Sequence, residues 1–197
     1  RAVLRIFDLN SIDTAFEKLS MNKERAEKLV AESVTTMTEL IMPNETNPLG
    51  NLMGGYLMKW MDIAGGICAA KHAGAHVVTA SVDHVSFQSP IHLGDVITLN
   101  ARVTKAFTTS VEIYVEVTAS DITGKNARKS NHAYLTFVAL DADRQKPIIV
   151  PTVRPVSTEE QKLFDGASRR RELRLILSGR IKPSDAKDLK SFFKQMD

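Results

Sequence analysis

The chain has 197 residues, of which 43% are hydrophobic and 25% charged, with a formal net charge of +3. This length and composition are typical of a globular protein of one domain that is large enough to bury a core. The charge is too small to indicate nucleic-acid binding without a basic stripe that carries aromatic residues, and the sequence has none. The single cysteine, Cys68, excludes an intrachain disulfide and suits a reducing compartment, so we expect a cytoplasmic protein.

The N-terminal part of the chain is charged throughout and lacks the apolar run of a secretion signal. Apolar residues at helical spacing predict a helical extension over residues 1–32. Residues 33–42 are rich in threonine and β-branched residues and are followed by Pro43, a pattern that predicts a strand.

The most unusual stretch is 44–74, a polar loop followed by about twenty residues of almost continuous apolar helix former with one acid, Asp62. Lys59 and Asp62 near its centre would each cost about 2.5 to 3.5 kcal/mol in a membrane span. We therefore predict a buried core helix over 54–74 and no membrane partner. The simplest alternative for the acid is a surface ion pair with Lys59.

Four strands are predicted after this helix. The apolar phase of the first, 76–87, shifts near Asp83, which indicates a bulge. Residues 97–104, 111–118 and 132–139 alternate apolar and polar side chains, which predicts an antiparallel meander with one buried face.

The C-terminal part is predicted to be helical. Ser157 and Glu160 form a capping box that opens one helix, and a shorter helix is expected from Ser184. The predicted organisation is an N-terminal extension (1–32), a central domain (33–156) and a C-terminal helical extension (157–197). Because the long helix is apolar on nearly all sides, one sheet cannot cover it, and we expect a homodimer.

The run from Asn47 to Ala70, NPLGNLMGGYLMKWMDIAGGICAA, closely resembles the signature of hot-dog-fold acyl-CoA thioesterases of the bacterial short- to medium-chain and brain acyl-CoA hydrolase type. Separate later pieces match too: DHVSF at 83–87, TSV at 109–111 and TFVA at 136–139. The resemblance covers about residues 33–176. It implies an α+β hot-dog fold, an antiparallel sheet wrapped around one long central helix that dimerises through the sheet/helix edge, and assembly into a trimer of dimers.

The resemblance also implies a reaction, the hydrolysis of fatty acyl-CoA to free fatty acid and CoA. In such enzymes the residue matching Asn47 is a catalytic amide, and the residue matching Asp62 is a general base or a nucleophile. The backbone N–H groups of Gly54 and Gly55 are candidates for an oxyanion hole. Eight helical residues place Asp62 about 12 Å beyond Gly54, so we do not expect Asn47 and Asp62 to meet within one subunit. In the family the two residues come from different protomers.

Six residues are candidate contacts for CoA. The resemblance suggests the pantetheine arm near four of them, and two basic residues at the meander turns could contact its phosphates or could simply be solvated. They are Ser81, Val82, Asp83 and Ser110, with Lys125 and Arg128. The arginines at 169–171 could also meet phosphate, but a solvated helix face is the stronger expectation.

Other chemistries have weaker support. Cys68 and His72 are four residues apart, but a lone cysteine in an apolar helix is usually a core residue. His72 and His76 have no evident third ligand, so we predict no metal, and no cofactor apart from the CoA moiety of the substrate. Serine-hydrolase and nucleotide-binding motifs are missing from the sequence. Two alternatives remain: a non-catalytic acyl-CoA sensor, and a hot-dog dehydratase, which would be expected to need a histidine paired with an acid.

Overall fold

The computed structural model describes residues 25–194, without the side chain of His84. Within this range it contains seven strands and three α-helices, joined by loops and short 3-10 turns. In chain order they are β1 (Glu27–Leu29), β2 (Thr35–Leu40), α1 (Gly54–Ala73), β3 (His76–Phe87), β4 (Val96–Ala106), β5 (Ser110–Ser120), β6 (Arg128–Leu140), β7 (Thr152–Arg154), α2 (Thr158–Leu177) and α3 (Lys187–Lys194).

The main sheet has five strands in the order β2-β4-β5-β6-β3, and every neighbouring pair is antiparallel. The register places Val115 beside both Ala101 and Ala133, so that alternate residues of the meander share one face. This inner face is buried, and the side chains between those core positions lie on the outer face. The predicted meander and the antiparallel sheet around a central helix are both confirmed.

Helix α1 lies against the inner face of the sheet. Its buried positions include Trp60, Met61 and Cys68, which belong to the same core as the meander strands. Gly65 allows close contact with the sheet, because a Cβ atom there would lie 3.1 Å from the ring of Phe137. The helix ends at Gly74, which has a φ of 66°. Among residues 25–194, no helix combines the length and apolarity needed to cross a bilayer.

Helix α2 begins at the predicted capping box, in which the Ser157 hydroxyl accepts the Glu160 N–H. It crosses the outer face of the sheet, and three ion pairs join it to three different strands: Glu159 with Arg102 of β4, Arg170 with Glu112 of β5, and Arg174 with Asp83 of β3. The expectation that the 169–171 arginines form a solvated face is wrong. Arg170 binds a fully buried carboxylate, and Arg169 and Arg171 lie over phenylalanine rings.

The N-terminal part differs from the predicted helix. Residues Glu27–Leu29 form strand β1, which runs parallel to β7, and only a single 3-10 turn follows at Val30–Glu32. The Arg25 guanidinium strengthens this connection by donating to the carbonyl oxygens of Val150 and Phe107. Pairing with a distant strand therefore overrides the local helical pattern. The rest of the predicted extension, 1–24, lies outside the described residues.

Strand β3 is an edge of the sheet, because it pairs only with β6. Its ladder has two irregularities, one between Thr79 and Ser81 and one between Asp83 and Ser86. The second is the predicted bulge near Asp83, whereas the first was not predicted. Apolar side chains remain exposed along this edge and along the adjacent stripe of α1: Val78, Val82, Ile63 and Ile67.

Candidate active site

Asp62 lies in an open groove of about 360 Å³ between α1 and β3. Its carboxylate is partly exposed, and its Oδ1 atom accepts a hydrogen bond of 2.6 Å from the Thr79 hydroxyl. Six of the nine residues that line the groove are apolar, Ile63, Gly66, Ile67, Ala70, Val77 and Phe137, and Asp62, His76 and Thr79 are polar. The ion pairs of residues 25–194 include none between Lys59 and Asp62, so the alternative of a surface pair is not supported.

Thr79 is a site residue that the sequence analysis missed. The sequence feature that could have identified it is the turn at Gly74, after which β3 runs back alongside α1. Asp62 is twelve helical residues before that glycine, about 18 Å, and Thr79 is five strand residues after it, about 17 Å. The two distances match, so counting back from the turn would have identified Thr79 as the neighbour of Asp62.

Asn47 organises the loop before α1. Its side-chain oxygen accepts hydrogen bonds from the backbone N–H groups of Leu49 (2.9 Å) and Asn51 (3.1 Å). With the oxygen fixed in this way, the Nδ2 group has no acceptor among residues 25–194 and remains available as a donor. Asn47 is thus a turn residue, and it also presents an amide donor whose orientation is fixed.

The N-terminus of α1 supplies further donors. The N–H groups of Tyr56 and Leu57 both bond to the Met53 carbonyl, whereas those of Gly54 and Gly55 have no acceptor in the described part of the chain. A Cβ atom on Gly55 would meet nothing within 4 Å, so the approach to this end of the helix is open. Two unpaired N–H groups at a helix N-terminus favour a developing negative charge.

Asn47 and Asp62 do not come together within the chain. Asn47 contacts its own loop, whereas Asp62 lies further along α1 in the groove with β3. The helical rise between Gly54 and Asp62 alone is about 12 Å. A site that contains both side chains needs a second subunit.

The six candidate CoA contacts do not form one cluster. Ser110 begins β5, and the other end of that strand is about 33 Å away. Lys125 lies in the turn after that end, and Arg128 pairs with Ala119 beside it. Arg128 is already paired with Asp95 at 2.6 Å and also donates to the Pro90 carbonyl. Lys125 is exposed in the β5–β6 turn.

The side chains of Ser81 and Asp83 are turned away from α1. The Ser81 hydroxyl donates to Asp83 at 2.5 Å, and the other carboxylate oxygen of Asp83 pairs with Arg174 of α2. Both side chains therefore lie on the outer face of the sheet, away from Asp62. Val82, between them, lies on the opposite face by strand alternation and is exposed.

Cys68 and His72 are core residues. Burial raises the pKa of the Cys68 thiol to about 12, which leaves almost no thiolate near neutral pH. The His72 ring is fully buried; its Nε2 donates to the Pro151 carbonyl at 3.0 Å, and Ser33 contacts Nδ1. In the described ranges no three His, Cys, Asp or Glu side chains are grouped closely enough to hold a metal ion.

The chain is similar to known thioesterases. Residues 49–124 match the thioesterase superfamily. An acyl-CoA thioester hydrolase of Bacillus subtilis is 37% identical over 139 residues, which cover 71% of this chain and 80% of that protein. Acetyl-coenzyme A thioesterase of Mus musculus is 36% identical over 150 residues, 76% of this chain. This match spans only 27% of the mouse protein, so the chain corresponds to about a quarter of such longer relatives.

Solved structures show the same fold. The acyl-CoA hydrolase of Staphylococcus aureus, in complex with butyryl-CoA, CoA and CoA disulfide, has a TM-score of 0.73 and 38% identity, covering 78% of this chain and 95% of that one. A hexameric acyl-CoA thioesterase in its apo form has a TM-score of 0.75 and 36% identity, covering 78% and 97%.

Three further structures of the S. aureus protein carry alanine in place of one asparagine, one aspartate and one threonine. In that chain the asparagine and the aspartate are 15 residues apart, and the aspartate and the threonine 17. Asn47, Asp62 and Thr79 have the same two spacings here. The fold, the family match and the similarity over most of the length of bacterial relatives agree: this chain belongs to the thioesterase superfamily, among its hot-dog acyl-CoA thioester hydrolases.

Proposed function

We propose that this chain hydrolyses acyl-CoA to a free acid and CoA, at a site where Asp62 of one subunit acts with Asn47 of a second. The observation that carries the proposal is the Asp62 carboxylate, held by Thr79 in a groove where six of the nine lining residues are apolar. Apolar side chains beside a carboxylate suit an acyl chain whose thioester carbonyl lies near Asp62. The matching Asn, Asp and Thr spacing in the S. aureus hydrolase supports this choice of residues.

In the proposed reaction Asp62 is a general base. Thr79 donates to Oδ1, so Oδ2 is left to take a proton from a water molecule as that water forms a C–O bond with the thioester carbon. The carbonyl oxygen becomes an oxyanion, for which the Asn47 amide and the Gly54 and Gly55 N–H groups are available donors. When the C–S bond breaks, the CoA thiolate leaves and takes up the proton from Asp62. The reaction needs no cofactor.

The other possible role of Asp62 is attack on the thioester to form a mixed anhydride. A single turnover in water labelled with oxygen-18 tests for this anhydride, which leaves label on Asp62 when water opens it at the aspartyl carbonyl. As a general base, Asp62 acquires no label, and the product acid carries one labelled oxygen. Label in the peptide that contains Asp62 would contradict the base mechanism and support the anhydride.

A second copy of the chain would complete the site. The outer edge of β3 and the neighbouring stripe of α1 expose Val78, Val82, Ile63 and Ile67, and a long apolar strand edge is suited to pairing. We propose a dimer formed through this sheet/helix edge, with trimers of dimers as the larger assembly. The hexameric state of a similar thioesterase supports the larger assembly.

The same arrangement suggests where the phosphates of CoA bind. The Asn47 loop and Arg128 lie close together at one end of the folded subunit. Asn51 of that loop pairs with His92, and Arg128 donates to the carbonyl of Pro90, two residues before His92. When Asn47 of one subunit lies beside Asp62 of its partner, Arg128 and the exposed Lys125 of the first subunit therefore lie near that shared site. We propose that these basic residues contact the phosphates, and that Ser110 and Val82 lie nearer the pantetheine arm.

The main test follows thiol release from acyl-CoAs of increasing chain length by the wild type, Asp62→Ala and Asn47→Ala. We expect both substitutions to lower kcat at least ~100-fold, because each removes a group that acts on the reacting atoms. Full activity of Asp62→Ala would contradict the mechanism.

Mixing the two inactive variants then tests the shared site. After the subunits are exchanged, half of the dimers carry one of each variant, and each such dimer has one intact site. Activity should return to about a quarter of the wild-type value. A mixture that stays inactive despite proven exchange would show that both residues act within one subunit.

The two alternative functions predict different outcomes. A non-catalytic sensor would bind acyl-CoA without releasing thiol. A dehydratase would form or consume a double bond in the acyl chain, and it would need a histidine at the acid. Asp62 is bonded to Thr79 instead, and although His76 lines the same groove, no hydrogen bond joins it to Asp62.

A further inference from the structure

The bulge at Ala80 determines which side chains of β3 lie on each face of the sheet. Thr79 pairs with Phe137 and Ser81 with Thr136, so Ala80 is an extra residue in the strand. Without it, Thr79, Ser81 and Asp83 would share one face. With it, Thr79 faces Asp62 on α1, whereas Ser81 and Asp83 face α2. The position of the Thr79 hydroxyl therefore depends on how this bulge is held.

The ladder with β6 alone fixes this region weakly. A second irregularity follows Asp83, so 81–83 is a short paired stretch between two breaks in that ladder. Side chains supply what the ladder lacks. Asp83 accepts the Ser81 hydroxyl on one oxygen and pairs with the Arg174 guanidinium through the other. We call Ser81, Asp83 and Arg174 the β3 clamp.

The clamp is held by a firmly anchored helix. One turn before Arg174, Arg170 makes a bond of 2.7 Å to the fully buried Glu112 and lies 4.0 Å over the Tyr134 ring. Arg174 therefore extends from a fixed part of α2 to the short stretch of β3 between the two breaks. Both partners of its ion pair are about four-fifths buried, so the pair is better shielded from solvent than an ordinary surface pair.

We propose that Arg174 is a positioning residue for the thioesterase site: through Asp83 and Ser81 it fixes the Ala80 bulge, and the bulge aims Thr79 at the Asp62 carboxylate. The proposal rests on the proposed function, because it takes Asp62 to be the group that activates water. It gives helix α2 a part in the reaction, although none of the residues of α2 lines the groove.

The test compares Arg174→Met and Asp83→Asn with Glu159→Gln, a matched control that breaks the ion pair between the same helix and β4. Arg174→Met should lower kcat about tenfold with KM changed less than twofold, because a small displacement of a reacting group costs rate more than binding. Arg174→Lys should restore part of the loss. Glu159→Gln should leave both constants unchanged.

Two further measurements separate the possible results. The double variant Arg174→Met with Asp83→Asn should be no worse than either single variant, since both break one connection. Amide hydrogen exchange in residues 79–83 should be faster in Arg174→Met than in Glu159→Gln. If Asp62→Ala is inactive while Arg174→Met keeps the wild-type kcat, the positioning role is overturned and the proposed function stands. If the wild type hydrolyses no acyl-CoA, the proposed function fails, and unchanged exchange would then overturn the clamp as well.

Discussion

At the scale of single residues, the hydrogen bond from Thr79 to Asp62 is the interaction that a substitution tests most directly. Thr79→Val removes the hydroxyl but keeps the branched shape. We expect kcat to fall about 10- to 100-fold, because a hydrogen bond to a charged group is worth about 1.5 to 3 kcal/mol. Steady-state thiol release measures this loss.

Thr79→Ser is the control for the hydroxyl, since it keeps the donor and removes only a methyl group. It should retain most of the activity. If the serine variant is as impaired as the valine variant, the shape of the side chain matters and the hydrogen bond does not.

Residue types and spacing identified part of the candidate site. Asp62 stands out as the one acid in an apolar helix, and Asn47 as the loop asparagine of a family pattern; the structure has Asp62 in the groove beside β3 and Asn47 in the loop before α1. The sequence did not show that Ser81 and Asp83 lie on the face of β3 opposite to Thr79. One extra strand residue reverses which face each following side chain occupies, and a bulge within an apolar run leaves little trace in the sequence.

At the scale of elements, the two adjacent glycines of α1 should respond differently to alanine. A Cβ atom on Gly65 would lie 3.1 Å from the buried ring of Phe137, whereas one on Gly66 would lie 3.6 Å away, an ordinary contact. Alanine gains about 1 kcal/mol of helix propensity over glycine, and overpacking a core costs about 1 to 3 kcal/mol. Gly65→Ala should be less stable than Gly66→Ala by about 2 kcal/mol.

Denaturant unfolding of both variants and the wild type checks this expectation. Equal stability of the two alanine variants would show that Phe137 moves aside without cost, and that close packing does not explain Gly65.

The C-terminal turn of α1 should make stability depend on pH. Burial lowers the pKa of His72, and the nearby Lys28 ammonium acts in the same direction, while the bond to Pro151 opposes them. The unfolded chain therefore takes up a proton near pH 6.5 that the folded chain does not. Stability is then present above that pH and is lost as the pH falls through it.

Melting temperatures measured from pH 7 to pH 5 test this effect. The wild type should lose stability over that range, and His72→Gln, which cannot titrate, should lose less. Parallel curves for the two proteins would contradict a role for His72.

Long periodic elements were predictable and short ones were not. The helix 54–73 and the three meander strands carry many repeats of one period, so local preference and burial agree. β1 has three residues, too few to show a period, and it exists because β7 lies beside it. The arginine run of α2 was predicted to form a solvated face because the sequence does not show its partners. Two of them, Glu112 and Phe107, are far away in sequence.

At the scale of the whole molecule, the apolar stripe of α1 should decide the assembly. Ile67 is 44% exposed beside the open edge of β3. Ile67→Glu places a charge in the proposed interface, and burying that charge between two subunits costs free energy. We expect smaller particles and a matching loss of activity, because Asn47 of the partner would be missing. Light scattering coupled to size-exclusion chromatography reports the mass.

Leu177→Glu is the matched control, because Leu177 is 79% exposed on α2, away from the groove. It should leave the mass unchanged. An unchanged mass for Ile67→Glu as well would contradict assembly through the α1 stripe.

The parallel pair of β1 and β7 has a consequence for the order in which the protein folds. It joins residues 125 positions apart through three residues on each strand. Closing so long a loop costs conformational entropy before any contact compensates for it, and six residues cannot supply that compensation alone. We therefore expect the pair to form only after the meander has brought β1 and β7 close together.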